Sequence, residues 1–231
     1  MNSPPDSRRF FYQTIADHFE GWDNPYDIRR RLEVVFDELL DGQGLQGKFV
    51  LDAGCGYGAF SRVLAKKGAR IVSCDIAEKL VRLASSKYQT RGVVGDAIQL
   101  GFADNSFDLV ITSEMIEHTL SPTAALHEMA RVLKPGGTLI LTTPNRVWQG
   151  VVVLASRLKL RPFEGIENFL GWQELERACA VNALEISAHI GFHPWPFQLK
   201  LWSLSQAVDK RFGHGAWARF MINQAILARK R

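Results

Sequence analysis

The chemistry-bearing residues begin where an apolar pair, Val50 and Leu51, runs into a carboxylate, Asp52, and then into Gly54, Gly56 and Gly58 at alternate positions. This is the pattern of a strand end folding into a ligand loop. Glycines there let the backbone take positive φ and let a ligand approach without a Cβ in the way. Gly54, Gly56 and Ala59 also satisfy the dinucleotide fingerprint, so the glycines alone leave a nicotinamide dinucleotide open. Asp52 separates the two readings: a carboxylate aimed into the loop would repel a pyrophosphate, whereas it would pair with a cofactor that carries an ammonium group.

Two further carboxylates close two further apolar runs. Asp75 ends Arg70–Cys74, about 20 residues past the loop, where a doubly wound fold places the acceptor of both ribose hydroxyls. Asp96 follows Gly92–Gly95, where a carboxylate can receive an adenine amino group. A strand-terminal Asp taken singly is commonly a turn former or a helix cap. Three of them at successive strand ends, beside a glycine loop, line one sheet edge and point to a nucleoside-bearing cofactor.

With these residues in place, the chain from about Tyr12 to its C-terminus resembles the class I S-adenosylmethionine-dependent methyltransferases. The loop, Asp75, Asp96, the run Phe107-Asp108-Leu109-Val110 and the turn Leu133-Lys134-Pro135-Gly136-Gly137 follow that family's order. Within it, Ser113-Glu114-Met115-Ile116-Glu117-His118 and Thr142-Thr143-Pro144-Asn145-Arg146 look like the ubiquinone-pathway O-methyltransferases. The resemblance implies an α/β, doubly wound, seven-stranded Rossmann-like sheet of order 3-2-1-4-5-7-6, with the seventh strand antiparallel. It implies S-adenosylmethionine as cofactor, with Asp52, Gly54, Gly56 and Gly58 at its methionine end. Asp75 and Ile76 would sit at the ribose, Asp96 and Ala97 at the base, with Ser113 nearby and Tyr12 closing over the cofactor.

Methyl transfer is an in-line displacement, so the protein must supply alignment and a route for the acceptor's proton. His118, just past the fourth strand, is the candidate base, since imidazole titrates near neutrality, with Glu117 beside it as a second catalytic candidate. Glu114, Glu117 and His118 stand three and four residues apart, which would put all three on one helical face. In the ubiquinone-pathway enzymes that set holds a divalent cation, Mg or Zn, which would acidify and orient a bound catechol hydroxyl. The expected acceptor is a phenol, catechol or other hydroxylated small molecule, with sugars, carboxylates and amines still open.

The elements that must position these residues alternate. Helices over Phe10–Glu20 and Ile28–Leu40 precede strand Phe49–Leu51, helix Ala59–Lys67, strand Arg70–Cys74, helix Glu78–Tyr88 and strand Gly92–Gly95. Strand Phe107–Thr112, helix Pro122–Leu133, a stop at Pro135-Gly136-Gly137 and strand Thr138–Thr142 complete a parallel sheet with helices on both faces. Beyond Asn145, a helix-compatible apolar run, Val147–Leu158, can cover the site. Helix Trp172–Val181 and strands Ala183–Ile190 and Ala225–Arg229 follow. The expected division is one domain: a lid over 1–46, a cofactor core over 47–145, a cap over 146–170 and the rest of the sheet over 171–231.

Composition sets the remaining bounds. A chain of 231 residues with 46% hydrophobic content can bury a full core as one domain. Cys55, Cys74 and Cys179 have neither metal nor disulfide spacing, which suits a reducing cytoplasm. No apolar run is long enough to cross a bilayer, and the N-terminus lacks a secretory pattern. A net charge of +4 with only short basic clusters, such as Arg29-Arg30-Arg31, argues against nucleic acid. Val147–Leu160, with Arg157, Lys159 and Arg161, has the composition of a peripheral membrane contact. The aromatic stretch Phe192–Phe220 reads as an edge cover, a homodimer face or a wall for a flat, hydrophobic acceptor.

Overall fold

Alternation along the central strands divides the interior into two cores. Leu51, Ala53 and Val110 face one side with Leu126, Met129 and Leu175; Val50, Leu109 and Ile111 face the other with Val35, Phe36, Phe60 and Leu64. A period of two with apolar residues on both faces is what a central strand covered twice requires. The computed structural model describes residues 11–14, 16, 21, 24–157, 167–196 and 199–231.

The strands are β1 (Phe49–Ala53), β2 (Arg70–Asp75), β3 (Arg91–Val94), β4 (Phe107–Ser113), β5 (Leu133–Pro144), β6 (Leu184–Phe192) and β7 (Asn223–Lys230). They form one sheet of order β3-β2-β1-β4-β5-β7-β6. The first four pairings, β1 with β2 and β4, β2 with β3, and β4 with β5, are parallel. β7 is antiparallel to both β5 and β6, as the resemblance implies. The ends of β1, β2 and β4 therefore share one edge, and with them Asp52, Asp75 and Ser113.

Helix α1 (Pro25–Glu33) starts where Asn24 accepts the N–H groups of Tyr26 and Asp27, with proline at the first helical position. It runs on as a π-helical segment, Val34–Leu39, that buries Val34, Val35, Phe36 and Leu39. α2 (Ala59–Lys66) follows β1, α3 (Glu78–Tyr88) follows β2, and α4 (Pro122–Val132) follows β4. α5 (Gln149–Arg157), α6 (Trp172–Val181) and α7 (Trp202–Phe212) belong to the C-terminal half.

One sequence expectation changes. Pro135-Gly136-Gly137 is not a clean stop: β5 already pairs Leu133 with Phe107 and bulges before Thr138 meets Leu109. Gly136 turns through φ +74° there, which a side chain would resist. The aromatic stretch contains a helix, α7. Of the helix expected over Phe10–Glu20, residues 11–14 are helical and Ala16 lies in a turn; its other residues, with Lys159, Arg161 and Phe197, lie outside the described residues.

Candidate active site

The loop after β1 is built on backbone. Gly54 and Cys55 both donate to the Cys74 carbonyl, at 2.8 and 3.0 Å, so the loop is stitched to the end of β2. Gly54 has φ +75°, and a Cβ on it would overlap Met115 of the loop after β4. Gly58 has φ +91°, and a Cβ there would meet the Tyr88 ring at 2.7 Å. Both positions therefore require glycine twice over, by conformation and by space.

Asp75 ends β2 with its carboxylate held at both oxygens: Gly56 N–H donates to Oδ2 and Ala77 N–H to Oδ1, each at 3.0 Å. Burial pushes its pKa up, and these N–H groups pull it back. Ile76 lies between these contacts. Asp96 accepts the Ile98 N–H at 3.1 Å in a tight turn, which brings Ala97 and Ile98 onto the core. Asp52 is only 2% exposed, and its Oδ2 takes the Ser61 hydroxyl at 2.6 Å. Ser61 continues to Ser73, and Ser73 to Thr90. Burial pushes the Asp52 pKa up to about 6 against the Ser61 bonds. This carboxylate thus also anchors α2 beneath the loop, a role the sequence did not reveal.

Beyond β4 the expected helical face does not form. Glu114 adopts φ 51°, and only Ile116–His118 make a 3-10 turn. The reason lies in long-range partners. Thr142 Oγ1 donates to Glu114 Oε1 at 2.8 Å and Asn223 Nδ2 to Oε2 at 2.7 Å, which ties the end of β4 to β5 and β7. Ser113 Oγ joins Thr142 Oγ1 at 2.8 Å and receives Arg31 Nη1 at 3.4 Å. Arg31 reaches in from α1, where Asp27 holds its Nη2 at 2.9 Å.

Glu117 is 1% exposed, accepts the Thr143 hydroxyl at 2.9 Å and places Oε1 3.8 Å from His118 Nε2. Burial is the main force that lifts its pKa to about 8. Glu114 is pushed up too, by burial and by Glu117, with Arg31 opposing. His118 keeps 21% of its side chain exposed, and its ring stands edge-on to that of Tyr12, centroids 6.1 Å apart. Tyr12 also packs toward Ala77 and Leu80, so one residue spans the ends of β2 and β4.

Glu114, Glu117 and His118 do not share the helical face expected of a cation set, since Glu114 is drawn to Thr142 and Asn223 through its two oxygens. Among the described residues, no three His, Cys, Asp or Glu side chains are grouped to hold a metal ion. S-adenosylmethionine fits the site: the carboxylate of Asp75, at the end of β2 beside the glycine loop, suits a nucleoside with vicinal hydroxyls. Arg31 and Asn223 were missed because their partners are distant in sequence, and Thr142 and Thr143 were read only as members of a motif.

Comparison with known proteins agrees with this geometry. A methyltransferase domain model matches residues 51–141. The ubiquinone biosynthesis O-methyltransferase of Azoarcus sp. (strain BH72) is 33% identical over 217 residues, covering 87% of this chain and 92% of its own. That of Rhizobium rhizogenes (strain K84) is 31% identical over 179 residues, covering 73% and 72%. The magnesium protoporphyrin IX methyltransferase of Synechocystis PCC 6803, solved with bound SAH, superposes with TM-score 0.68 at 22% identity, over 96% of this chain and 98% of that one; at that identity it speaks for the fold. The dinucleotide alternative left open by the glycine spacing is closed by these matches. The chain belongs to the class I S-adenosylmethionine-dependent methyltransferases and is similar to their ubiquinone-pathway O-methyltransferases.

Proposed function

We propose that this methyltransferase acts on a hydroxyl group of a small phenol, catechol or related acceptor, with His118 as the base. The observation that carries the reading is the pairing of His118 with a buried carboxylate, Glu117, at the end of β4, beneath Tyr12 and next to the cofactor loop. When bound, S-adenosylmethionine supplies the electrophilic methyl group. Asp75 accepts the two ribose hydroxyls, Asp96 and Ala97 meet the base, and Ser113 lies at the floor. The glycine loop holds the methionine end, with Asp52 supplying negative charge from beneath. Tyr12 covers the cleft and excludes water. His118 Nε2 takes the proton from the acceptor hydroxyl, and Glu117 steadies the resulting imidazolium where it is ionised, above about pH 8.

Labelled S-adenosylmethionine offered with a panel of catechols, phenols, carboxylic acids and amino sugars tests the reading. Transfer to hydroxyl acceptors supports it. Transfer confined to amines or carboxylates overturns the choice of acceptor atom.

We further propose that the face of α5 and the neighbouring loop rest on an anionic lipid surface. Val147, Val151 and Leu154 are 51–56% exposed at helical spacing, and Trp217 and Phe220 are 66% and 51% exposed. Trp148 Nε1 donates to the Phe220 carbonyl at 2.8 Å, which joins the two patches, and Arg157 and Arg219 supply positive charge beside them. No helix among the described residues is long and apolar enough to cross a membrane. Co-sedimentation with anionic vesicles that Val151→Asp abolishes supports this contact; a concentration-dependent dimer without vesicle binding assigns the face to a second copy instead.

A further inference from the structure

Asn168 makes two hydrogen bonds that bracket the candidate base. Its backbone N–H donates to the Glu117 carbonyl at 2.7 Å, and its side-chain Nδ2 donates to the Thr119 carbonyl at 2.8 Å. The residue between those two carbonyls is His118. Within the turn, His118 N–H reaches the Met115 carbonyl and Thr119 N–H the Ile116 carbonyl, both at 3.0 Å. Together these bonds fix the peptide planes on both sides of His118, so the imidazole keeps only its own side-chain torsions.

Asn168 is itself solvent-exposed, so burial does not explain why both donors are spent on this turn. The segment that carries it is firmly seated. Phe169 and Leu170 are 2% and 6% exposed, and the Leu170 carbonyl takes Gln224 Nε2 at 2.8 Å. The Phe169 carbonyl takes Arg146 Nε at 2.9 Å, and Gln149 of α5 reaches the Glu167 carbonyl at 3.2 Å. A continuous set of contacts therefore runs from the cap helix, through Glu167 and Asn168, to both sides of His118.

We infer that Asn168 is a positioning residue, through which the segment following the cap helix sets the orientation of His118. The inference rests on the reading of His118 as the base. Misplacement of a reacting group by about 1 Å can cost on the order of 10²-fold in rate, so a turn held from both sides has a kinetic consequence. The hydrogen bonds of Asn168 go to the His118 turn and not to the cofactor loop, so its loss should act on turnover and not on affinity.

The test uses the full chain with S-adenosylhomocysteine bound, as wild type, Asn168→Ala and Asn168→Asp. The His118 ring Cε1–H resonance is assigned by its loss in His118→Gln. Both Asn168 variants are expected to shift or broaden that resonance, while the calorimetric Kd for S-adenosylhomocysteine moves less than about threefold. Asn168→Asp keeps the backbone bond to Glu117 and the side-chain shape, so it reads the lost Nδ2 donor even if the alanine variant folds poorly. A wild-type resonance in the folded variants overturns the inference. With an acceptor in hand, Asn168→Ala should lower kcat about tenfold or more at unchanged KM, and should cost nothing further in a His118→Ala background. An equal loss in both backgrounds also overturns it. If His118→Ala itself retains full rate, the base assignment fails, whereas the resonance still judges the link between Asn168 and His118.

Discussion

Arg30 and Asp209 stand 179 positions apart in the chain, yet Arg30 Nε meets Asp209 Oδ2 at 3.0 Å, with 3% and 0% of their side chains exposed. The pair fastens α1 to α7. One turn earlier Asp27 ties α1 to the residue after β6, accepting from buried His193 Nε2 at 3.0 Å if that nitrogen is protonated, and Tyr26 stacks on Trp202 with centroids 5.3 Å apart. The N-terminal helix and the aromatic segment thus form one wall, and Arg31 is delivered to Ser113 from it. Arg30→Ala would leave Asp209 buried and unpaired, so a loss of roughly 3–5 kcal/mol is expected in urea unfolding. Pairing Arg30→Met with Asp209→Leu should restore most of it. A loss below about 1 kcal/mol would mean that aromatic packing alone holds the wall.

Asp75 has a separate consequence for the cofactor. Its carboxylate already accepts Gly56 and Ala77 N–H groups, so it both shapes the loop and presents the remaining lone pairs to ribose hydroxyls. Removing charge-assisted hydrogen bonds worth about 1.5–3 kcal/mol should weaken S-adenosylmethionine at least tenfold in Asp75→Ala. Calorimetry reads this directly. Unchanged affinity in a folded variant would place the ribose elsewhere.

Glu117 gives a pH dependence with a definite sign. Burial lifts its pKa from the ordinary 4.5 to about 8, so the folded chain binds this proton more tightly than the unfolded one. Stability is then highest on the acid side, falls as pH rises between those two values and levels off above about 8. Glu114 is raised as well and acts in the same direction, so the useful quantity is the difference between wild type and Glu117→Gln. The amide keeps an acceptor for Thr143 and carries no titrating proton. Glu117→Gln should therefore gain on the wild type, by on the order of a few kcal/mol, as pH goes from 5 to 8.5. Parallel stability curves would show that Glu117 stays ionised throughout.

The parts legible in the sequence are those encoded locally. Strand ends and the glycine loop announce themselves within ten residues, because the apolar run, Asp52 and the alternate glycines are contiguous, although their partners Cys74, Met115 and Tyr88 are not. The order of the last two strands came only through resemblance, since nothing in the Ala225–Arg229 pattern distinguishes a parallel from an antiparallel strand. The helical face expected of Glu114, Glu117 and His118 failed for a tertiary reason: spacing in sequence implies a shared face only inside a helix, and Glu114, held by Thr142 and Asn223, leaves the helical region at φ 51°. The same holds for Arg31. In sequence it is one of three adjacent arginines, and only the packing of α1 against β4 distinguishes it from exposed Arg29, which faces no such partner in the site.

His118 should matter to chemistry more than to binding. It lies beside buried Glu117 and under Tyr12, while the groups expected to hold the cofactor, Asp75 and the glycine loop, belong to β1 and β2. General acid–base groups typically supply about 10² to 10⁴ in rate, so His118→Ala should lower kcat by that order while the Kd for S-adenosylmethionine stays within a few fold. The size of the effect should follow the acceptor. A phenol that is already ionised at assay pH needs no base, so acceptors of lower pKa should recover part of the lost rate in the variant and gain little in the wild type. Glu117→Gln should show a weaker version of the same dependence, chiefly above about pH 8, because it leaves the imidazole in place and removes only a carboxyl that is ionised there. If His118→Ala loses less than about threefold on every acceptor, the proton leaves by solvent and the Glu117–His118 pair is structural.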